Sequence, residues 1–336
     1  MIVILSMNLS NCFSNIEDQN VFLKIIELSL PRILGLCDRS NDSNTFGCFD
    51  RYYWHYRLLD LPNIRFQEAA YILAIIYRNR IIDSFYQNEK VKYWCIGAID
   101  YAFSRQNRDG SFNEVYPYER SFVATAFTGW SLIESILLLE LVDWRDSVDR
   151  LANWLLKHDN PSVSNQMAGA ANALYLSYLH LGDQKFLNGY RKKIDRIVRE
   201  KGKKPYLPEY GGADIGYLSI ALSHLATLYR HSKDQHVRHI ADDAATYIDL
   251  QLDENGSYDW TTGSRKTQYV YPYGLAALNR FDALDKLGNG LRKNRIINPC
   301  WMDDRYCIPF TLDYLLTFHH LQQLREQTER SSKNSN

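Results

Sequence analysis

The chain has 336 residues, 46% of them apolar and 23% charged, which is enough to bury a large core. Lys+Arg and Asp+Glu balance at 39 each, so no charged field marks it for nucleic acid or an anionic membrane, and a strongly acidic polymer would need a local basic cluster. The outlying number is 24 Tyr, beside 7 Trp and 14 Phe, side chains that offer a flat apolar face and suit a wet cleft stacking on a polar ligand.

Residues 1–20 read as an N-terminal extension. Its apolar start has no Lys or Arg before it and no small-residue cleavage site, so a signal peptide is not expected. No run of about 18 apolar residues offers a membrane span. Cys12, Cys37, Cys48, Cys95, Cys300 and Cys307 show no CxxC pairing and read as reduced, mostly buried thiols, with the cytoplasm as the expected compartment. Residues 21–325 read as one domain, and 326–336 as a polar tail without fixed structure.

Within that domain a polar turn, usually with Gly or Pro and an aromatic, recurs about every 50 residues. The six copies are Gly47 to Asp50, Asp109 to Asn113, Asp159 to Pro161, Pro208 to Gly212, Asn255 to Asp259, and Trp301 to Arg305. Each is followed by an apolar segment at helical period, such as Phe122 to Phe127, Met167 to Leu174, Tyr217 to Leu222, Gly274 to Leu278 and Phe310 to Leu316. Helices apolar on most sides are buried ones. Each turn is preceded by an amphipathic segment, such as Val148 to Lys157 or Val237 to Leu252, that reads as an outer helix. Alternating runs at period two are scarce. The pattern predicts an all-α fold, an (α/α)6 toroid: an incomplete or closed ring of six helical hairpins, an open solenoid being the other arrangement of such repeats.

Because every turn leads into an inner helix, all six turns are expected at one end, lining a shared funnel with the inner-helix N-termini. Tyr53, Trp54, His55, Arg65 and Glu68 come from the first hairpin. The second brings Glu114, Tyr116, Glu119 and Arg120, the third Asn165 and Gln166, and the fourth Glu209, Asp214 and Tyr217. Tyr258, Trp260, Arg265, Tyr271 and Tyr273 belong to the fifth, Asp304 and Arg305 to the last. Glu114, Glu119 and Glu209 are candidates for paired-carboxylate work on a glycosidic bond, and equally for capping helices or pairing with Arg. Tyr217 and Tyr116 with His55 suit proton abstraction next to a carboxylate, and equally a packed core with a structural histidine. Asp303, Asp304 and Cys307 suggest zinc but lack a second ligand group, so neither metal nor cofactor is expected. Gly211-Gly212 is a turn and not a phosphate loop.

Two resemblances follow from these residues. Gln106-Asn107-Arg108-Asp109-Gly110-Ser111-Phe112 resembles the QxxDGSF/W element of the squalene-cyclase and prenyltransferase toroids, whose DxDD acid motif is missing here. Ser164-Asn165-Gln166, followed by Glu209-Tyr210-Gly211-Gly212-Ala213-Asp214-Ile215-Gly216-Tyr217, is similar in order and spacing to the toroidal domain of heparinase II/III-like polysaccharide lyases. That resemblance implies that Asn165 neutralises a uronate carboxylate and Tyr217 acts as acid/base. Gln166 stands where many such lyases have His. The expected function is lyase or hydrolase chemistry on a poly- or oligosaccharide. The alternatives are a terpenoid-cyclase or prenyltransferase-like toroid and a non-catalytic glycan-binding one. Catalytic roles fall to Tyr217, Glu209, Asn165, His55 and Glu114; substrate contacts fall to Tyr53, Trp54, Arg65, Tyr116, Glu119, Arg120, Gln166, Asp214, Tyr258, Trp260, Arg265, Asp304 and Arg305. The expected partner is a saccharide, with no nucleic acid and no membrane span; the sequence leaves the oligomeric state open.

Overall fold

The computed structural model describes residues 16–333, and these form an all-α fold of thirteen α-helices, with paired extended segments only as isolated bridges. The helices are α1 (Ile16–Leu36), α2 (Arg51–Trp54), α3 (Ala69–Arg78), α4 (Glu89–Ser104), α5 (Phe122–Leu138), α6 (Arg145–Lys157) and α7 (Ser164–Leu181). They continue as α8 (Gln184–Lys201), α9 (Ile215–Ser232), α10 (Gln235–Gln251), α11 (Tyr273–Ala277), α12 (Phe281–Arg292) and α13 (Asp304–Lys333). No helix among the described residues is long and apolar enough to cross a membrane.

Burial separates two kinds of helix. The outer helix α10 buries Val237, Ile240, Ala241, Ala244, Ala245 and Ile248, one stripe at spacings of three and four, and leaves its other face wet. The inner helix α7 buries nearly every residue from Ser164 to Ser177. Its run of Ala and Gly lets neighbours approach closely: a Cβ on Gly169 would fall 2.5 Å from the ring of Phe127 in α5. The inner helices pack in succession, α3 on α5, α5 on α7, α7 on α9, α9 on α11, α11 on α13, and α13 back on α3. The outer helices back them, α4 on α3, α6 on α5 and α7, α8 on α7, α10 on α9, α12 on α11, and α1 on α13.

The recurring turns are built alike, which shows the repeat in backbone hydrogen bonds. In three of them the Gly N–H returns to the carbonyl of the residue opening the turn: Gly47 to Asp38 (2.8 Å), Gly110 to Asn107 (2.9 Å) and Gly256 to Asp253 (2.9 Å). The opening N–H then donates to the residue after the glycine, Cys48, Ser111 or Ser257, at 2.8 to 2.9 Å. All three glycines have positive φ, and each presses against the next outer helix. A Cβ on Gly110 would lie 2.1 Å from the Arg150 carbonyl oxygen in α6, so only glycine fits.

Two expectations change. Helix α1 already begins at Ile16, so the extension expected over 1–20 is helical at its end, while residues 1–15, with Cys12, lie outside the described residues. The tail expected to be unstructured from Glu326 continues α13 to Lys333, helped by i,i+4 pairs such as Arg325–Glu329 at 2.9 Å. The fifth inner helix is only five residues long, because Gln268 to Pro272 runs without helical structure into it. Cys37, Cys48, Cys95, Cys300 and Cys307 are free thiols, and all but Cys300 are buried.

Candidate active site

A cavity of about 170 Å³ lies among the inner helices and takes residues from every one of the six recurring hairpins. Its mouth is polar. Arg65 donates from Nε to Glu68 Oε1 at 2.6 Å and sits 4.9 Å over the ring of Phe127. Burial opposes the Arg65 charge, but Glu68 and Glu114 outweigh it and raise its pKa further. Arg305 donates to Glu114 Oε1 at 3.0 Å and covers the ring of Tyr306 at 3.9 Å. The two Arg–Glu pairs therefore face the cavity from separate hairpins.

Asn165 and Tyr217 stand at the first turns of α7 and α9. Glu209 is fully buried behind Asn165 and accepts from its backbone N–H at 2.7 Å and from Nδ2 at 2.8 Å. Burial pushes the Glu209 carboxyl well above the carboxylate range, Asp214 adds to this, and the Asn165 donors pull against it. The anchored amide keeps a second N–H and a carbonyl oxygen for a ligand. Tyr217 is placed by Asp214, the N-cap of α9, whose Oδ1 accepts its backbone N–H at 3.1 Å. Burial, then the Tyr306 and Tyr210 phenols, raise the Tyr217 pKa while Arg265 draws it down, so the phenol is neutral at pH 7.

Deeper in, the wall turns mostly aromatic. His224 lies between Phe127 and Trp130, with ring centroids 4.6 and 4.7 Å away. Burial first and Arg65 second lower its pKa to about 3, so it is an uncharged imidazole. Asp313, buried on α13, accepts the Tyr273 backbone N–H at 2.7 Å; burial raises its pKa to about 7. Tyr271 stacks on Phe310 at 4.8 Å, and burial holds it far above the ordinary phenol range.

Of the residues expected at the site, Tyr217, Asn165, Glu114, Arg65, Gln166, Arg305, Glu68 and Tyr271 line the cavity. The others do not. Glu209 acts from behind Asn165, and Asp214 is spent on the cap and on Thr267. His55 is exposed beside Trp54 and Tyr56. Trp54 donates to the Leu36 carbonyl at 2.7 Å, and Tyr53 meets Arg105 at 5.9 Å. Glu119 caps its own loop, accepting N–H groups from Glu114, Val115 and Tyr116, and Arg120 pairs with Asp109 at 3.2 Å. Tyr116 is 68% exposed, clear of the cavity. Tyr258 donates to Thr267 and Tyr269 carbonyls, and Trp260 is partly exposed in a short 3-10 turn. Arg265 covers Tyr210 at 4.4 Å, and Asp304 pairs with Arg32 at 2.7 Å.

Sequence reasoning missed Trp130, Ser223, His224, Thr227, Tyr269 and Asp313 as lining residues. Helical spacing carries the signal for several of them. Tyr217, Ile220, His224 and Thr227 fall at i, i+3, i+7 and i+10, one face of α9 running down from the rim. The histidine that lines the cavity is thus His224, whereas His55 does not line it. Among the described residues, no group of three or more His, Cys, Asp or Glu could hold a metal ion. A scan of the chain against protein-family models returns no match, and neither does a search of the curated proteins.

Proposed function

We propose that the packing circuit is that of an (α/α)6 toroid, and that its cavity acts on a uronate-containing poly- or oligosaccharide by eliminative cleavage. One observation carries this: Asn165, anchored by buried Glu209, and the neutral phenol of Tyr217 stand at adjoining inner-helix starts on one cavity that also receives two Arg–Glu pairs. Elimination needs a carboxylate neutralised by hydrogen-bond donors, a base for the adjacent carbon-bound proton and an acid for the leaving oxygen. Asn165 offers the donor, the cavity-lining Glu114 carboxylate takes the carbon-bound proton, and Tyr217 in its neutral form gives its own proton to the leaving oxygen as the C–O bond breaks and the C=C bond forms. The Tyr269–Tyr271 wall and the Arg-covered Tyr210 and Tyr306 rings supply faces for sugar rings.

The test is a screen of uronate-containing oligosaccharides, watched for the ultraviolet absorbance of an unsaturated uronate. Absorbance that vanishes in Tyr217→Phe supports elimination. New reducing ends without absorbance favour hydrolysis by the carboxylates, and binding without turnover favours a glycan-binding toroid.

A further inference from the structure

Trp130, Thr227 and Leu316 are the deepest lining residues on their helices, and one turn further along come Glu134, Arg230 and His320. Arg230 on α9 donates to Glu134 Oε1 on α5 at 3.0 Å, to the Tyr71 hydroxyl on α3 at 3.3 Å and to the Tyr273 hydroxyl on α11 at 3.4 Å. In the packing circuit, α3 stands three steps from α9 in either direction. The guanidinium therefore bridges opposite helices as well as near ones, across the axis around which they are arranged. Tyr71, Glu134 and Tyr273 are buried, and the Tyr71 ring meets Trp130 edge-on at 5.6 Å. None of these four groups lines the cavity. Parting this layer would strand a buried carboxylate and break charge-assisted hydrogen bonds together.

We propose that the lumen is a blind pocket floored by the Arg230, Glu134, Tyr71 and Tyr273 layer, so that the site takes the end of a glycan chain and not its interior. This rests on the saccharide reading above. A threaded chain would have to displace the floor, whereas a chain end enters and its product leaves by the same mouth. Cleavage then proceeds from one terminus and releases short products from the outset.

The experiment is calorimetric titration of the Tyr217→Phe variant, which binds without cleaving, with a uronate-containing tetrasaccharide in three forms: uncapped, capped by a bulky fluorophore at the reducing end, and capped at the non-reducing end. The expected result is a loss of affinity of about tenfold or more for one capped form and little change for the other. Equal affinity for all three overturns the blind pocket while leaving the saccharide reading standing. No binding of any form overturns the saccharide reading and this inference with it.

Discussion

The two ends of the helix bundle solve opposite problems with similar residues. At the cavity mouth several connections are long, residues 105–121, 202–214 and 252–272, and two Arg–Glu pairs line the cavity, Arg65 with Glu68 and Arg305 with Glu114. At the far end two of the connections shrink to Gly182-Asp183 and Lys233-Asp234, and one arginine gathers a carboxylate and two phenols into a single network. Charges that line a cavity have surfaces left for a ligand. Charges gathered on one another are satisfied already, and so they hold helices together. Chemistry should therefore be sensitive at the mouth and stability at the far end.

The sharpest way to break that contrast is Tyr217→Phe. It removes one half-buried hydroxyl at the mouth, and turnover should fall by about 10²–10⁴-fold with the melting temperature nearly unchanged. Equal activity in the variant would sink the assignment. Next in size is Glu134→Ala at the far end, which removes the buried acceptor shared by Arg230 and His231; it should cost about 2 kcal/mol in denaturant unfolding. Gly110→Ala tests the repeat itself. Positive φ and the Arg150 carbonyl in its path should together cost about 2 kcal/mol, read as a lower unfolding midpoint.

The smallest effect is one of shape. Asp313 has a pKa of about 7 in the folded protein against 3.8 as its ordinary value, a raised value. Its contribution to stability is fully present below about pH 4 and is lost as pH rises through 7. Asp313→Asn keeps an acceptor for the Tyr273 N–H, so its melting temperature should vary less between pH 4 and 7 than the wild type's. Identical pH profiles would remove Asp313 from the titrating groups.

The parts of the fold legible in the sequence were those set by local chemistry. Gly110, Gly256 and their Asp and Asn neighbours dictate a turn whatever lies around them, and the alternation of apolar and amphipathic segments marks inner and outer helices. The mouth was legible where a side chain sits on the first turn of an inner helix, as Asn165 and Tyr217 do, because the helix fixes its direction. In the loops it was legible only in part, since Glu114 reaches the cavity and its neighbour Glu119 does not. Glu119 and Asp214 carry suitable chemistry, but their oxygens are taken by backbone N–H groups, and nothing in a loop's sequence shows where a carboxylate turns. The deep residues escaped for a different reason. His224 and Asp313 lie in the middle of apolar helices, where their spacing from the rim, and not their own type, points to the cavity.

The join between first and last helices has a further consequence, for the order of assembly. Most inner helices meet partners about 50 residues away, but α13 must find α1 and α3 across most of the chain. Closing a loop about five times longer costs roughly 1.4 kcal/mol more in chain entropy, from the logarithmic dependence on length. That contact should form late and open early, like the last stave of a barrel. Arg32–Asp304 at 2.7 Å and Ser29–Cys300 at 3.3 Å are the polar clasps on that stave. A fragment ending before α13 would present the bared faces of α1 and α3 to its neighbours, so nascent chains pass through a sticky stage that lasts until α13 has emerged.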